Sequence, residues 1–344
     1  MIWHPLLLAI VGVDVMSGLL LLSTGVSAFQ IALRWNPVST DRTQIALEGR
    51  AESASIRGRW MLTLLLFSGL LVVVGISNVF HGVIPGAMCG TGVLQALGDS
   101  GRRMLLYRGF LVIALLFWFE LDKLNRTDRC YPLTAFNARV FLAAAPLAAL
   151  PLVESARAFA AVNVHQPVDC CAVVYDQFRN LTEARSAAGI SNKFWLSAFV
   201  FLTTLLAGLA IGVRFSSTKR PRLRAGLTLT TLAWLPVAAV ALVCILAPYH
   251  YGVLHHHCPW CLFLPEYNFV GYPLFGTLAF VAVEGILVFC LPLSVRQEKQ
   301  LFSAALRRSL RACSHVLVGL AVFMLLACLP PLIWRFRHGV WMGG

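Results

Sequence analysis

The sequence predicts an all-α, polytopic integral membrane protein with about eight transmembrane helices, and three observations carry that prediction. The chain has 344 residues, of which 58% are hydrophobic and only 12% charged. Its mean hydropathy is +0.76, which leaves too little charge to clothe an ordinary soluble domain. Apolar windows of about 20 residues, enough for a helix to cross roughly 30 Å of hydrocarbon, recur along the whole length. No long polar stretch separates them, so residues 1–344 read as a single transmembrane helical domain. The formal charge of +13 would suggest nucleic acid in a soluble protein. Here the arginines fall in short connections, where topology explains them, and no nucleic-acid partner is expected.

The first span is predicted from about Pro5 to Leu33, with Asp14 inside it. Met1-Ile2-Trp3-His4 has neither a basic n-region nor a cleavage site of small residues, so this span is expected to be retained. An arginine-bearing loop, Arg34 to Arg59, leads to a second span at Trp60 to Phe80. His81 and the glycine-rich stretch Gly82 to Gly92 should stop that helix. The third span, Met104 to Leu121, carries Arg108 one turn inside. The fourth runs from Ala135 to Ala156 and is followed by the longest connection, Arg157 to Lys193. Spans five to eight are predicted at Phe194–Val213, Leu227–Ala247, Phe269–Leu293 and His315–Trp334.

Lys and Arg are retained on the cytoplasmic side. The loops after spans one, three, five and seven hold most of them, whereas residues 249–268 hold none. Both termini are therefore expected to be extracytoplasmic, as are the loops 157–193 and 249–268, in a membrane of the bacterial inner-membrane kind. This sidedness gathers Cys89, Cys170, Cys171, Cys258 and Cys261 on the outer face. His81, His165, His250, His255, His256 and His257 fall there too.

The stretch His255-His256-His257-Cys258-Pro259-Trp260-Cys261 concentrates three imidazoles and two thiols in seven residues. Its C-x-x-C spacing lets two sulfurs close a disulfide or clasp one metal. It is expected to open the seventh span, where a helix N-terminus would stabilise a thiolate. In an oxidising space the pair is a structural disulfide, a redox dithiol or half of a metal site. His81, Met88 and Cys89 form a second soft cluster of the kind Cu(I) prefers. A helix-ending turn with an inert Cys89 explains those three residues equally well. The adjacent pair Cys170-Cys171 should bond elsewhere rather than to itself, or ligate a metal. The remaining cysteines, including Cys130, are expected to be small apolar fillers.

Charges within the bilayer are costly and normally paired or functional. Asp14 and Arg108 should lie at similar depth and can pair across spans one and three. Glu284, deep in span seven, is a candidate proton-relay carboxylate, with a protonated packing role as the alternative.

At Cys258-Pro-Trp-Cys261, with the surrounding stretch His250 to Pro273, the chain resembles the membrane thiol oxidoreductases of the vitamin K epoxide reductase and bacterial disulfide-bond-forming quinone reductase families. The resemblance implies a reactive Cys258–Cys261 pair, exchange with Cys170, Cys171 or Cys89, and an extracytoplasmic thiol protein as partner. It also implies a quinone acceptor held between helices, near Arg108, Asp14 or Glu284. A second reading makes the chain a metal-handling protein that holds copper, zinc or haem through His81, Cys89, Cys170, Cys171, His255, His256, His257, Cys258 and Cys261. A third makes it a structural subunit of a larger membrane complex.

Overall fold

Backbone N–H and C=O groups find no partners in lipid, so apolar segments of this length satisfy them internally as helices. A computed structural model describes residues 3–37, 39, 41–128, 130–163, 167–168, 189–215, 220–254 and 256–342. Among these there is no strand. Eight helices among the described residues are long and apolar enough to cross a membrane. They are α1 (Pro5–Arg34), α2 (Arg42–Gly82), α3 (Gly90–Asn125), α4 (Thr134–Ala160), α5 (Asn192–Phe215), α6 (Pro221–Tyr251), α7 (Gly271–Ser294) and α8 (Lys299–His338).

Their number matches the sequence prediction, but three of their ends do not. α2 begins at Arg42 rather than Trp60, α3 at Gly90 rather than Met104, and α8 at Lys299 rather than His315. The added turns are polar and mixed in composition. Hydropathy registers only the lipid-compatible part of a helix, whereas hydrogen bonding continues until a cap or a breaker intervenes. Gly98 interrupts α3 with φ 62°, a left-handed conformation that glycine adopts without steric cost. α2 ends through a π-turn at Gly75–Val79 and a 3-10 turn at Phe80–Gly82, and α6 carries a π-turn at Leu242–Leu246.

The chain divides into two compact units. The first comprises Met1–Pro85, Val93–Val168 and Val295–Ala305. Its core draws Leu21, Ala28 and Ile31 from α1, Met61 and Leu65 from α2, Leu111, Leu115 and Trp118 from α3, and Phe141 and Ala144 from α4. At Gly58 a side chain would collide with the Trp118 ring, so the missing Cβ lets α2 and α3 approach closely. A polar knot pins the same four helices. Arg108 Nη2 donates to Asp14 Oδ2 at 2.6 Å and to Ser155 Oγ at 2.9 Å, and Nη1 donates to Ser68 Oγ at 2.9 Å. Ser68 Oγ in turn donates to Asp14 Oδ1 at 2.5 Å.

The second unit comprises Gly86–Gly92, Asp169–Ser294 and Leu306–Gly344. In its core Phe323 of α8 meets Phe199 of α5 and Trp234 of α6 edge to face. The Trp234 indole donates to Thr203 Oγ1 at 2.9 Å. Glu284 of α7 receives both Arg308 nitrogens at 2.7 and 2.9 Å and lies 3.2 Å from His315 Nδ1.

Candidate functional site: a buried three-cysteine cluster

Within the second unit, the short stretch before α3 and the loop between α6 and α7 bring three sulfurs together. The sulfur atoms of Cys89, Cys258 and Cys261 all lie within 4.8 Å of one another. Cys89 Sγ is 3.5 Å from Cys258 Sγ, and Thr91 Oγ1 is 3.0 Å from the same Cys258 sulfur. All three cysteines are buried, at 6%, 2% and 7% exposure respectively.

The local sequence explains how they meet. Gly252 ends α6 in the left-handed conformation, φ 67°, and turns the chain back toward the cluster. Pro259 starts a single 3-10 turn, Pro259–Phe263, with Cys258 as the residue preceding it. That turn shortens the reach between Cys258 and Cys261. Gly90 follows Cys89, and a Cβ there would stand 2.7 Å from the Trp260 ring. Glycine is thus what allows the Cys89 segment to lie against the C-P-W-C turn. The Tyr251 hydroxyl donates to the Cys258 carbonyl oxygen, and its ring packs edge to face on His256 and Tyr267 at 4.5 and 4.7 Å.

One sequence expectation is corrected here. The C-x-x-C pair does not open the seventh spanning helix, because α7 begins only at Gly271. Pro265 and the left-handed Asn268 and Phe269 separate the two. The sulfurs therefore do not sit on a long helix dipole, and their electrostatics come from one another. The Cys258 thiol is drawn well below the ordinary thiol range, first by the hydrogen bond from Cys261 and then by those from Cys89 and Thr91, against the cost of burial. Cys261 is pushed up, because it holds its proton in the bond to Cys258. Burial lowers His256, and the nearby Cys89 sulfur opposes that shift.

The other sequence candidates fall as follows. Cys170, Cys171 and His255 lie outside the described residues. His256 and His257 are half-buried beside the cluster, and neither joins its set of converging donor atoms. His81 belongs to the first unit, where its Nδ1 is buried without a hydrogen-bond partner. Asp14 and Arg108 pair with each other in that unit at 2.6 Å. Glu284 meets Arg308 and His315, roughly 20 Å along α7 from its start at 1.5 Å per residue. The structure does not bring it to the sulfurs. Cys130 is exposed rather than a filler, because it stands in the tight α3–α4 connection, where its N–H bonds Asp128. Cys313 is buried, and Cys244, Cys290 and Cys328 are half-buried.

No family model, curated protein or solved structure matches this chain. What the site can do is therefore argued from its own geometry. Thr91 and Tyr251, two contributors the sequence reading did not single out, have weak signals. Thr91 follows Cys89 by two residues, and Tyr251 closes the span before the histidine run, where an interfacial tyrosine needs no special role.

Proposed function

We propose that the chain is a membrane-embedded thiol redox protein in which Cys89, Cys258 and Cys261 exchange one disulfide among themselves. The observation that carries this reading is the set of donors around Cys258. Its sulfur is approached by Cys89 at 3.5 Å and by Thr91 at 3.0 Å, while Cys261 lies on the same short turn. Such a sulfur is the central one in a thiol exchange, which proceeds by attack of a thiolate on a disulfide through a mixed disulfide.

With Cys258 and Cys261 oxidised, the Cys89 thiolate attacks Cys258 Sγ. The Cys89–Cys258 bond forms, the Cys258–Cys261 bond breaks, and Cys261 leaves as a thiolate that takes up a proton. Net turnover moves two electrons and two protons from a partner dithiol, which closes to a disulfide, to a quinone, which becomes quinol. Trp260 and Phe263, 5.6 Å apart, flank Cys261 in sequence, and Phe275 stacks on Phe263 at 5.4 Å; these are the rings that would contact a flat acceptor. By the distribution of Lys and Arg the cluster faces the extracytoplasmic side, with both termini on that side.

A second reading rests on the convergence itself. Three buried thiolates form a soft donor set that suits Cu(I) or zinc. At a metal–sulfur distance of about 2.3 Å, tetrahedral ligands stand about 3.8 Å apart, so sulfurs within 4.8 Å need little movement to bind. Cys89, Cys258 and Cys261 would hold the ion, which would supply a storage or transfer centre rather than electrons for disulfide chemistry.

Mass-spectrometric thiol mapping in native membranes, with alkylation before and after mild reduction and metal analysis of the same sample, separates the two. Switching of Cys258 and Cys261 between disulfide and thiol at substoichiometric metal, with a Cys89–Cys258 disulfide trapped in Cys261→Ser, is the outcome expected. Protection of all three thiols until a chelator is added would replace the redox reading with the metal one.

A further inference from the structure

At the end of the first unit where the α1–α2 and α3–α4 connections lie, the four helices enclose a cavity of about 600 Å³. That volume is within the range of small-molecule sites. Three of its lining side chains present buried polar atoms with no hydrogen-bond partner: Thr24 Oγ1, Trp35 Nε1 and Asn137 Oδ1. Thr24 is 1% and Asn137 7% exposed. Buried polar groups are nearly always hydrogen-bonded, because leaving one unpaired costs about 1–3 kcal/mol. A helical threonine ordinarily returns its hydroxyl to the carbonyl one turn back, as Thr203 and Thr231 do here. Thr24 does not. One donor, one acceptor and one hydroxyl are thus presented to the same space.

Three carboxylates and one guanidinium, that of Arg126, line the cavity, so its charge is predominantly negative. Glu48 and Glu52, one turn apart on α2 and both exposed, line its edge, and among the described residues neither has an ion-pair partner. Asp122 also lines the cavity, but its carboxylate is taken by Arg59, Arg126 and Ser55. Neighbouring arginines of α2 are turned away, Arg50 to Gln30 and Arg57 to Ser27. Trp35 and Trp118 add aromatic faces to the lining, and such faces attract cations.

We infer that this cavity binds a small organic ammonium compound with an apolar body. The ammonium would lie toward Glu48 and Glu52, the body against Trp118, and a hydroxyl or ester oxygen would accept from Trp35 Nε1. A free amine and the ammonium headgroup of a phospholipid share this chemistry.

The test is isothermal titration of the full chain in phosphatidylglycerol nanodiscs with phenethylammonium chloride, and with 2-phenylethanol as the uncharged control. Saturable binding of the amine alone is expected, about tenfold weaker in the Glu48→Gln/Glu52→Gln variant, which removes its charge partners. Glu→Gln conserves volume, and unchanged thermal unfolding verifies the fold. Repeating the titration in phosphatidylethanolamine nanodiscs identifies the source. Undiminished binding supports a free amine, and competition by the lipid supports a headgroup. Absence of saturable binding in phosphatidylglycerol, equal binding of 2-phenylethanol, or binding indifferent to loss of both carboxylates overturns the inference.

Discussion

The state of the Cys258 sulfur decides the chemistry of the cluster, and it has a pH signature. Hydrogen bonds from Cys261, Cys89 and Thr91 favour its charged form, so its folded pKa lies below that of an unfolded thiol, about 8.5. A group depressed in this way stabilises the fold fully above the unfolded value, and that contribution is lost as pH falls toward the folded one. Cys261 shifts the opposite way; its contribution is full below the unfolded value and declines as pH rises above it. Ultraviolet thiolate absorbance of the reduced protein, taken as the difference from Cys258→Ser, should therefore persist as pH falls from about 8 to about 6, where ordinary thiols are protonated. A difference signal that disappears with an ordinary thiol midpoint would show that the neighbours do not hold the charge. Cys258 and Cys261 were legible as a pair from their spacing, and Cys89 from its place beside a glycine-rich helix end. Their meeting was not, because 169 residues separate Cys89 from Cys258 and hydropathy carries no information on which loops converge.

The elements of the first unit are held by a charged group that every one of its four spanning helices helps to satisfy. Arg108 on α3 reaches Asp14 on α1, Ser68 on α2 and Ser155 on α4. Removing one member of a buried pair leaves the other charge uncompensated, at a cost of about 3–5 kcal/mol, whereas replacing both by apolar residues is often close to neutral. Asp14→Asn should accordingly lower the detergent-unfolding midpoint sharply, and Asp14→Leu/Arg108→Met should recover most of the loss. Equal damage from the single and double substitutions would mean that the pair specifies the packing rather than merely satisfying itself. Asp14 and Arg108 could be matched from sequence because each is a lone charge in an apolar run. Ser68 and Ser155 could not, since a serine in a membrane helix commonly bonds its own backbone. The helix starts at Arg42 and Lys299 were hidden for a related reason. Their first turns carry no apolar window, so composition resembled a loop where the backbone is helical.

At the scale of the whole molecule, an even number of crossings leaves both ends of a chain on one side of a membrane, and the described residues include eight helices able to cross. The distribution of Lys and Arg then sets which side that is. α3 offers a direct test, because a side chain exposed to solvent stands beyond each of its ends. Met88, just before it, is 69% exposed, and Cys130, just after it, is exposed in a connection that also contains Arg126 and Arg129. In intact cells a membrane-impermeant maleimide should label Met88→Cys at once, and should reach Cys130 only after permeabilisation. The reverse pattern would turn the cluster of Cys89, Cys258 and Cys261 toward the cytoplasm, where thiols are kept reduced, and would favour a metal over a disulfide at the same three sulfurs. Labelling of both positions from outside would mean that α3 does not cross. The Arg108 knot would then be a surface-lying arrangement, because a charge tied to α1, α2 and α4 at the depth of Asp14 requires all four helices to pass through the same layer.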